Sequence, residues 1–293
     1  MSTVALILNP TTVDDAAATT AFVERRCIAA GWDKVSVRHT TPDDPGTTAA
    51  RDAIAEGAEL VLCSGGDGTL AATAAGMTHS GVPMGILSSG TGNLLSRNLD
   101  IPLDLDQALT VALGANTRLI DVGQVDGHTF VVMAGIGFDA TVMAEASGSL
   151  KARLGWLAYV VAGVRSLSTD SMNVTIKLDD TETVVHSRAR TVLVGNVGQL
   201  QGGLPLLPDA DPSDGILDVI LIAPHTVADW VTTAWRIVRR RTTTDGRLQR
   251  CRARRVELHT RRPHPRQFDG EVLPSSRSLH ATVDAAALLV KVP

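Results

Sequence analysis

The sequence predicts an α/β domain built on a parallel sheet, followed by a second, mostly β domain. Three observations point there. Over residues 1–121, short apolar strands alternate with helix-period segments, as in a parallel sheet covered on both faces. Beyond Asp121, strand-like runs dominate, separated by Gly, Pro, Asp or Asn as antiparallel connections are. Finally, 44% of the 293 residues are hydrophobic and 20% charged, which suffices for two cores and is too apolar for a disordered chain.

Taken in order, Val4–Leu8 is a strand, Asn9-Pro10-Thr11-Thr12 a turn, and an Ala-rich helix pattern runs on to Ala30. Val35–Arg38 leads across a Pro/Asp/Gly loop to a helix over Thr48–Glu56, stopped by Gly57. Glu59–Ser64 is the third strand, Gly65–Thr69 a turn and Leu70–Gly76 a helix start. Pro83–Leu87 is the fourth strand, and Leu103–Leu113 another helix. Strands of the second half fall at Thr129–Ala134, Met172–Leu178, Arg190–Val194, Leu217–Ile222 and Arg255–Thr260, with two more near Leu279–Val283 and Ala287–Val292. Helical patterns interrupt at Leu150–Leu167 and Thr226–Arg240. The expected domains are 1–121 and 122–275, with 276–293 returning to the first.

Net charge is −4, so the overall balance does not suggest a nucleic-acid binder. The average hides an asymmetry. Between Arg236 and Arg266, twelve arginines face only Asp245 and Glu257, a local balance of +10 that leaves −14 for everything else. The stretch is nearly free of interleaved aromatics, which argues against nucleic acid as its partner. Cys27, Cys63 and Cys251 form neither a disulfide framework nor a thiolate zinc spacing. The N-terminus has no basic region ahead of its apolar run, and the longest apolar stretch is too short to span a bilayer. A cytoplasmic protein is expected, one able to touch a membrane from its inner face.

Two turns look chemical. Ser64-Gly65-Gly66-Asp67-Gly68-Thr69 lies between a strand and a helix, where glycines let backbone amides approach a phosphate and the helix N-terminus adds positive dipole. Asp67 in that turn would hold Mg²⁺, a ribose or an ordered water rather than phosphate itself. The same residues also make an ordinary tight turn. Ser88-Ser89-Gly90-Thr91-Gly92-Asn93 follows the next strand and should lie beside the first turn, with Asn9–Thr12 at the same sheet edge. No GxxxxGK[ST] pattern occurs, which excludes a P-loop NTPase. Gly135-Ile136-Gly137-Phe138-Asp139-Ala140 matches G-x-G-x-x-A but lies in the β half without a βαβ unit.

Leu8-Asn9-Pro10, Gly65-Gly66-Asp67-Gly68-Thr69, Gly90-Thr91-Gly92-Asn93, Asp211–Leu217 and Phe268-Asp269-Gly270-Glu271 together carry a resemblance. In that order and spread, the chain resembles the diacylglycerol kinase-type lipid kinase family, which includes bacterial diacylglycerol kinases and sphingosine kinase-like proteins. The Gly-Gly-Asp-Gly-Thr turn alone is shared with NAD kinases, and an NAD kinase is the alternative within the superfamily. The resemblance implies a Rossmann-like domain and a β-sandwich, with ATP held in the cleft between them by Asn9, Pro10, Thr11, Thr12, Thr41, Gly65, Gly66, Asp67, Gly68, Thr69, Thr91, Gly92 and Asn93. It also implies a magnesium site near Asp211, Asp214 and Ile216, with Asp214 as the carboxylate.

Asp269 and Glu271 flank a glycine; on an extended segment both would point to one face, one accepting a hydroxyl proton while the other orients it. The resemblance makes one of them the proton acceptor, with Glu271 preferred; Asp-Gly is equally a common hairpin turn. Ala71 and Ala72 stand where many members carry Asn-Glu, Leu94 where many carry Asp, and Val13 where Gly is usual. These departures motivate a second alternative, a catalytically silent nucleotide- or lipid-binding module.

On the helix over Thr226–Arg240, Trp230, Ala234 and Ile237 share one stripe, and Arg239-Arg240-Arg241 follow; Trp235 lies nearby and Trp156 in the earlier helical pattern. Tryptophan beside a basic run suits a peripheral membrane contact, and equally suits core packing with cations at a helix C-terminus. A lipid substrate is the expected partner, and a homodimer is allowed.

Overall fold

The computed structural model describes residues 1–137, 171–179, 182–200, 204–239 and 248–293, and the helix expected over Leu150–Leu167 lies outside them. The chain divides into two compact units, one of Met1–Val122 with Ala285–Pro293, the other of Gly123–Asp284.

The first unit alternates β1 (Thr3–Leu8), α1 (Ala16–Ala29), β2 (Lys34–His39), α2 (Thr47–Ala55), β3 (Leu60–Gly65), α3 (Asp67–Met77) and β4 (Met84–Ser88), then α4 (Leu94–Asn98) and α5 (Leu105–Ala112). Its strands run in the order β4-β3-β1-β2, all parallel. Leu6, Ile7, Leu8, Leu60, Leu62 and Ile86 are completely or almost completely buried, because helices cover both faces of a parallel sheet. Asp15 caps α1 by accepting the Ala18 N–H, and Asp104 caps α5 through Gln107 N–H. Val290 pairs in parallel with Met84, so the end of the chain adds a strand at the β4 edge.

β5 (Thr117–Val125) carries the chain into the second unit, which holds β6 (His128–Phe130), β7 (Met133–Gly137), β8 (Met172–Leu178), β9 (Glu182–Ala189), β10 (Thr191–Gly195), β11 (Gln199–Leu200), β12 (Leu204–Pro205) and β13 (Leu217–Ile222). There follow α6 (Val227–Val238), β14 (Leu248–Ala253), β15 (Arg255–Phe268) and β16 (Glu271–Lys291), whose residues from Ala285 on belong to the first unit. One antiparallel set runs β14-β13-β10-β7 and ends on β15 at Arg266–Phe268. Another runs β9-β8 and meets β15 at Val256–Thr260. β15 therefore serves both sets, changing partner across a register shift between His259 and His264, as strands at sandwich corners do. Pro263 and Pro265 lie in that irregular stretch, where a missing N–H is tolerated. The core gathers inward residues of both sets, among them Phe130, Ile136, Val174, Ile176, Val192, Val219 and Leu258.

Two expectations change and one holds. Thr129–Ala134 is two strands rather than one, broken at Val131-Val132. The two strands expected near Leu279 and Ala287 are one continuous strand, β16. Gly135-Ile136-Gly137 lies inside β7, between β10 and β15, and not in a strand-to-helix turn.

Candidate active site

In the first unit the chain leaves β1 for β2 on one side and β3 for β4 on the other, so β1 and β3 border the point where the winding reverses. Open sheets of this kind bind ligands beyond the carboxyl ends of the strands at that point. The turn after β1 supplies Asn9, Pro10, Thr11 and Thr12, and the junction of β3 with the start of α3 supplies Gly66 to Thr69. The turn after β4 supplies Ser89 to Asn93, and Thr41 follows β2. All sit at one edge of the sheet.

Hydrogen bonds join these turns to one another. Asn9 donates from Nδ2 to Thr69 Oγ1 at 3.0 Å, while its Oδ1 accepts the Thr11 N–H at 3.0 Å and the Thr11 hydroxyl at 2.7 Å. The Thr12 and Ser89 hydroxyls are 2.9 Å apart, and Ser89 N–H donates to Gly65 O at 3.0 Å. Leu94 N–H donates to Asp67 Oδ1 at 2.6 Å. Glycine is required where the turns meet: a Cβ on Gly90 would stand 2.6 Å from Gly66 Cα, and one on Gly92 would stand 2.4 Å from Asp67 Oδ2. Asn93, held at φ +51, closes the second turn by accepting the Gly90 N–H on Oδ1 and donating from Nδ2 to Gly90 O. Thr41 is exposed and accepts the Asp44 N–H; Asp44 in turn caps α2 through Thr48 and Ala49 N–H. Thr91 is exposed at the tip of its turn.

Asp67 differs from its expected placing in two respects. It is the first residue of α3, with Gly66 as N-cap, so the helix starts three residues earlier than the glycines suggest. Its carboxylate faces the amides opening α4. Burial pushes its pKa up, and hydrogen bonds from the Leu94, Asn93 and Leu95 amides and the charge of Arg97 pull it back. Asp67 is thus a strut between two turns. Ala71 and Leu94 are buried.

In the second unit, Asp269 and Gly270 form the two-residue loop of a hairpin in which Phe268 pairs with Glu271. Their φ values of +43 and +89 are those of a type I′ turn, so the two acids do not share an extended segment as expected. Asp269 Oδ2 accepts the Val131 N–H at 2.6 Å, and Oδ1 accepts those of Val132 at 3.0 Å and Met133 at 2.8 Å. Its own N–H donates to Met133 O at 2.8 Å. Asp269 therefore anchors the break between β6 and β7, and its oxygens are committed to amides. Glu271 is exposed at the head of β16.

The loop expected to hold magnesium offers hard oxygens but already uses them. Asp211 Oδ1 accepts the Ser213 N–H at 3.0 Å, and Asp214 Oδ1 accepts the Ile216 N–H at 3.1 Å. The other oxygen of Asp214 is bound by the Arg252 guanidinium, which also reaches Asp218 at 3.4 Å. As folded, Asp211 and Asp214 lie in a turn held by backbone amides, with Asp214 also ion-paired to Arg252. Among the described residues no group of three or more metal-binding side chains assembles. Asp218, unmarked by any motif, is the acid this cluster adds: burial pushes it up to about 6, Arg252 pulls it down, and Asp214 and Asp209 raise it further.

On α6 the tryptophans part company. Trp230 is 8% exposed and belongs to the interior, whereas Trp235 is 50% exposed, with the Arg239 guanidinium 4.3 Å from its ring centroid. Val231, 47% exposed, lies one turn before Trp235, so the outward stripe is Val231, Trp235, Arg239. Thr226 and Asp229 fix the helix start by a reciprocal capping box. Trp156, Arg240 and Arg241 lie outside the described residues. No helix among those described is long and apolar enough to cross a membrane.

A doubly wound α/β unit with joined polar turns at its reversal point, and an antiparallel β-sandwich carrying an acid-tipped hairpin, define a two-domain phosphotransferase class. Comparison with known proteins makes the class specific. The model of the diacylglycerol kinase catalytic domain matches residues 3–125, and that of the YegS C-terminal NAD kinase beta sandwich-like domain matches 131–291. A probable lipid kinase YegS-like protein of Pseudomonas fluorescens is 32% identical over 268 residues, 90% of this chain and 87% of that one. A diacylglycerol kinase of Bacillus subtilis is 28% identical over 246 residues, covering 83% and 80%. The crystal structure of a putative diacylglycerol kinase from Bacillus anthracis aligns over 100% of this chain and 95% of its own, at TM-score 0.82 and 21% identity. The chain belongs to the diacylglycerol kinase-type lipid kinase family.

Proposed function

We propose that the chain transfers the γ-phosphoryl group of ATP, supplied with magnesium, to a hydroxyl of a lipid, with diacylglycerol or a sphingoid-like base as the leading acceptors. The observation that carries this is the joining of three polar turns at the reversal point of the sheet, where backbone amides and hydroxyls suit a phosphate chain. Thr11, Thr12, Gly68, Thr69, Thr91 and Gly92 would meet the nucleotide, with Asn9, Asp67 and Asn93 holding them in place. The magnesium that travels with ATP neutralises phosphate charge.

The reaction needs little covalent chemistry from the protein. The lipid hydroxyl oxygen bonds to the γ-phosphorus, the bond to the β,γ-bridging oxygen breaks, and ADP leaves with its electron pair. The hydroxyl proton passes to Glu271, whose exposed carboxylate is open to a substrate. Asp269, committed to three amides, fixes the turn that presents Glu271 and is assigned a positioning role.

A substrate that resides in a bilayer calls for a surface that meets one, and the outward stripe Val231, Trp235 and Arg239 combines apolar, amphipathic and cationic groups. Incubating pure protein with ATP, magnesium and a total lipid extract, then identifying products by mass, tests the proposal. A lipid gaining one phosphate supports it, and no phosphorylated lipid refutes it.

A further inference from the structure

Glu271 shares its face of the second unit with a histidine that no motif marks. Phe268 and Glu271 are paired across the turn Asp269-Gly270, and residues opposed in this way project from one face with Cβ atoms about 5 Å apart. The His128 ring stacks on that same Phe268, its centroid 4.9 Å from the phenyl centroid and its plane inclined by 25°. The imidazole and the Glu271 side chain are thus both neighbours of one phenyl ring.

Local rules account for the placement. Asp126-Gly127, with φ values of +47 and +88, forms a type I′ turn in which Val125 pairs with His128. Strand alternation then puts His128 on the face of Phe130, which is completely buried. Side chains hold this hairpin against the one that carries Glu271. The Arg266 guanidinium binds Asp126 Oδ2 and donates from Nε to Pro274 O at 3.0 Å. Asp126 Oδ1 accepts the His280 N–H at 3.3 Å, and Asp269 gathers the Val131, Val132 and Met133 amides. A stacked ring offers its edge, where both imidazole nitrogens lie. His128 is exposed, and its nitrogens hydrogen-bond nothing among the described residues.

We infer that His128 is a substrate-binding residue, whose imidazole hydrogen-bonds the polar group next to the hydroxyl that Glu271 deprotonates. That group is an ester oxygen in a diacylglycerol and an amine in a sphingoid base. A neutral imidazole carries one donor and one acceptor and serves either. The inference rests on the assignment of Glu271 as proton acceptor, and adds the group that holds the acceptor hydroxyl in register with it.

The test uses the full chain with dioctanoylglycerol or sphinganine in detergent micelles, comparing wild type, His128→Phe and His128→Gln. His128→Phe keeps an aromatic ring on Phe268 and removes both nitrogens, whereas His128→Gln returns a donor and an acceptor without the ring. We expect His128→Phe to unfold at the wild-type midpoint and to bind its lipid about tenfold more weakly in the absence of ATP. Its KM for lipid should rise by the same factor, with kcat and the KM for ATP unchanged. His128→Gln should recover most of the lost affinity. A residue that only packs gives the reverse order, with His128→Phe like wild type and His128→Gln defective, and that order overturns the inference. So does a loss that comes with a lowered midpoint or that His128→Gln does not recover, and so does the absence of binding of either lipid by the wild type. The proposed reaction fails separately, by a lipid that is bound through His128 and never phosphorylated.

Discussion

Asp67 Oδ1 accepts the Leu94 N–H at 2.6 Å, a bond that ties the first turn of α3 to the first turn of α4 across 27 residues of sequence. A helix start that usually looks outward for an anion here takes its anion from a neighbouring element. Asp67→Ala leaves the amides opening α4 without their acceptor. We expect a loss of about 1–3 kcal/mol in stability, measured by denaturant unfolding, together with at least a hundredfold loss of turnover.

Gly90 and Gly68 separate packing from mere flexibility. A Cβ on Gly90 would stand 2.6 Å from the Gly66 backbone, whereas one on Gly68 meets nothing within 4 Å. Gly90→Ala should cost about 1–3 kcal/mol and weaken nucleotide binding at least tenfold. Gly68→Ala, in the first turn of a helix, should leave the unfolding midpoint unchanged or raised. Equal midpoints for the two variants would show that the turns do not interlock.

Much of this was legible in the sequence. β1, β3 and β4 read as continuous apolar runs because helices cover both their faces, and each is followed by its own turn chemistry. The start of α3 is hidden in the sequence because glycine signals a turn, while in the fold Asp67–Thr69 are already helical. The strand from Arg255 reads as ending at Thr260 because Pro263 and Pro265 look like breakers, yet it continues to Phe268 across a register shift. Trp230 and Trp235 illustrate a harder limit: helical spacing gives the stripes, but only tertiary packing decides which is buried. Asp269 illustrates the hardest, since its amide partners lie 136 to 138 residues away.

Asp269 and Glu271 should respond differently to mutation although two residues apart. Asp269→Ala strips an acceptor from three amides and should lower stability by about 2–4 kcal/mol. Glu271→Gln should unfold at the wild-type midpoint and lose at least a hundredfold in turnover. Thermal unfolding beside initial rates distinguishes them, and a destabilised Glu271→Gln with intact activity would reverse the assignment.

Asp218 gives stability a pH dependence. Its carboxyl is pushed up to about 6 from an ordinary 3.8, so between those values the folded chain holds a proton the unfolded chain has released. Its contribution is most favourable below pH 4 and is lost as the pH rises through 6. Asp218→Asn, which cannot ionise, should therefore raise the melting temperature relative to wild type more at pH 7.5 than at pH 5. A difference independent of pH would show that Asp218 is ionised throughout.

The reaction itself is tested most directly with γ-labelled ATP, magnesium, and either NAD or mixed diacylglycerol micelles, using wild type and Glu271→Gln side by side. We expect label in the lipid with the wild type and almost none with the variant. Label in NAD and none in lipid, or lipid labelled equally by both proteins, would contradict the mechanism.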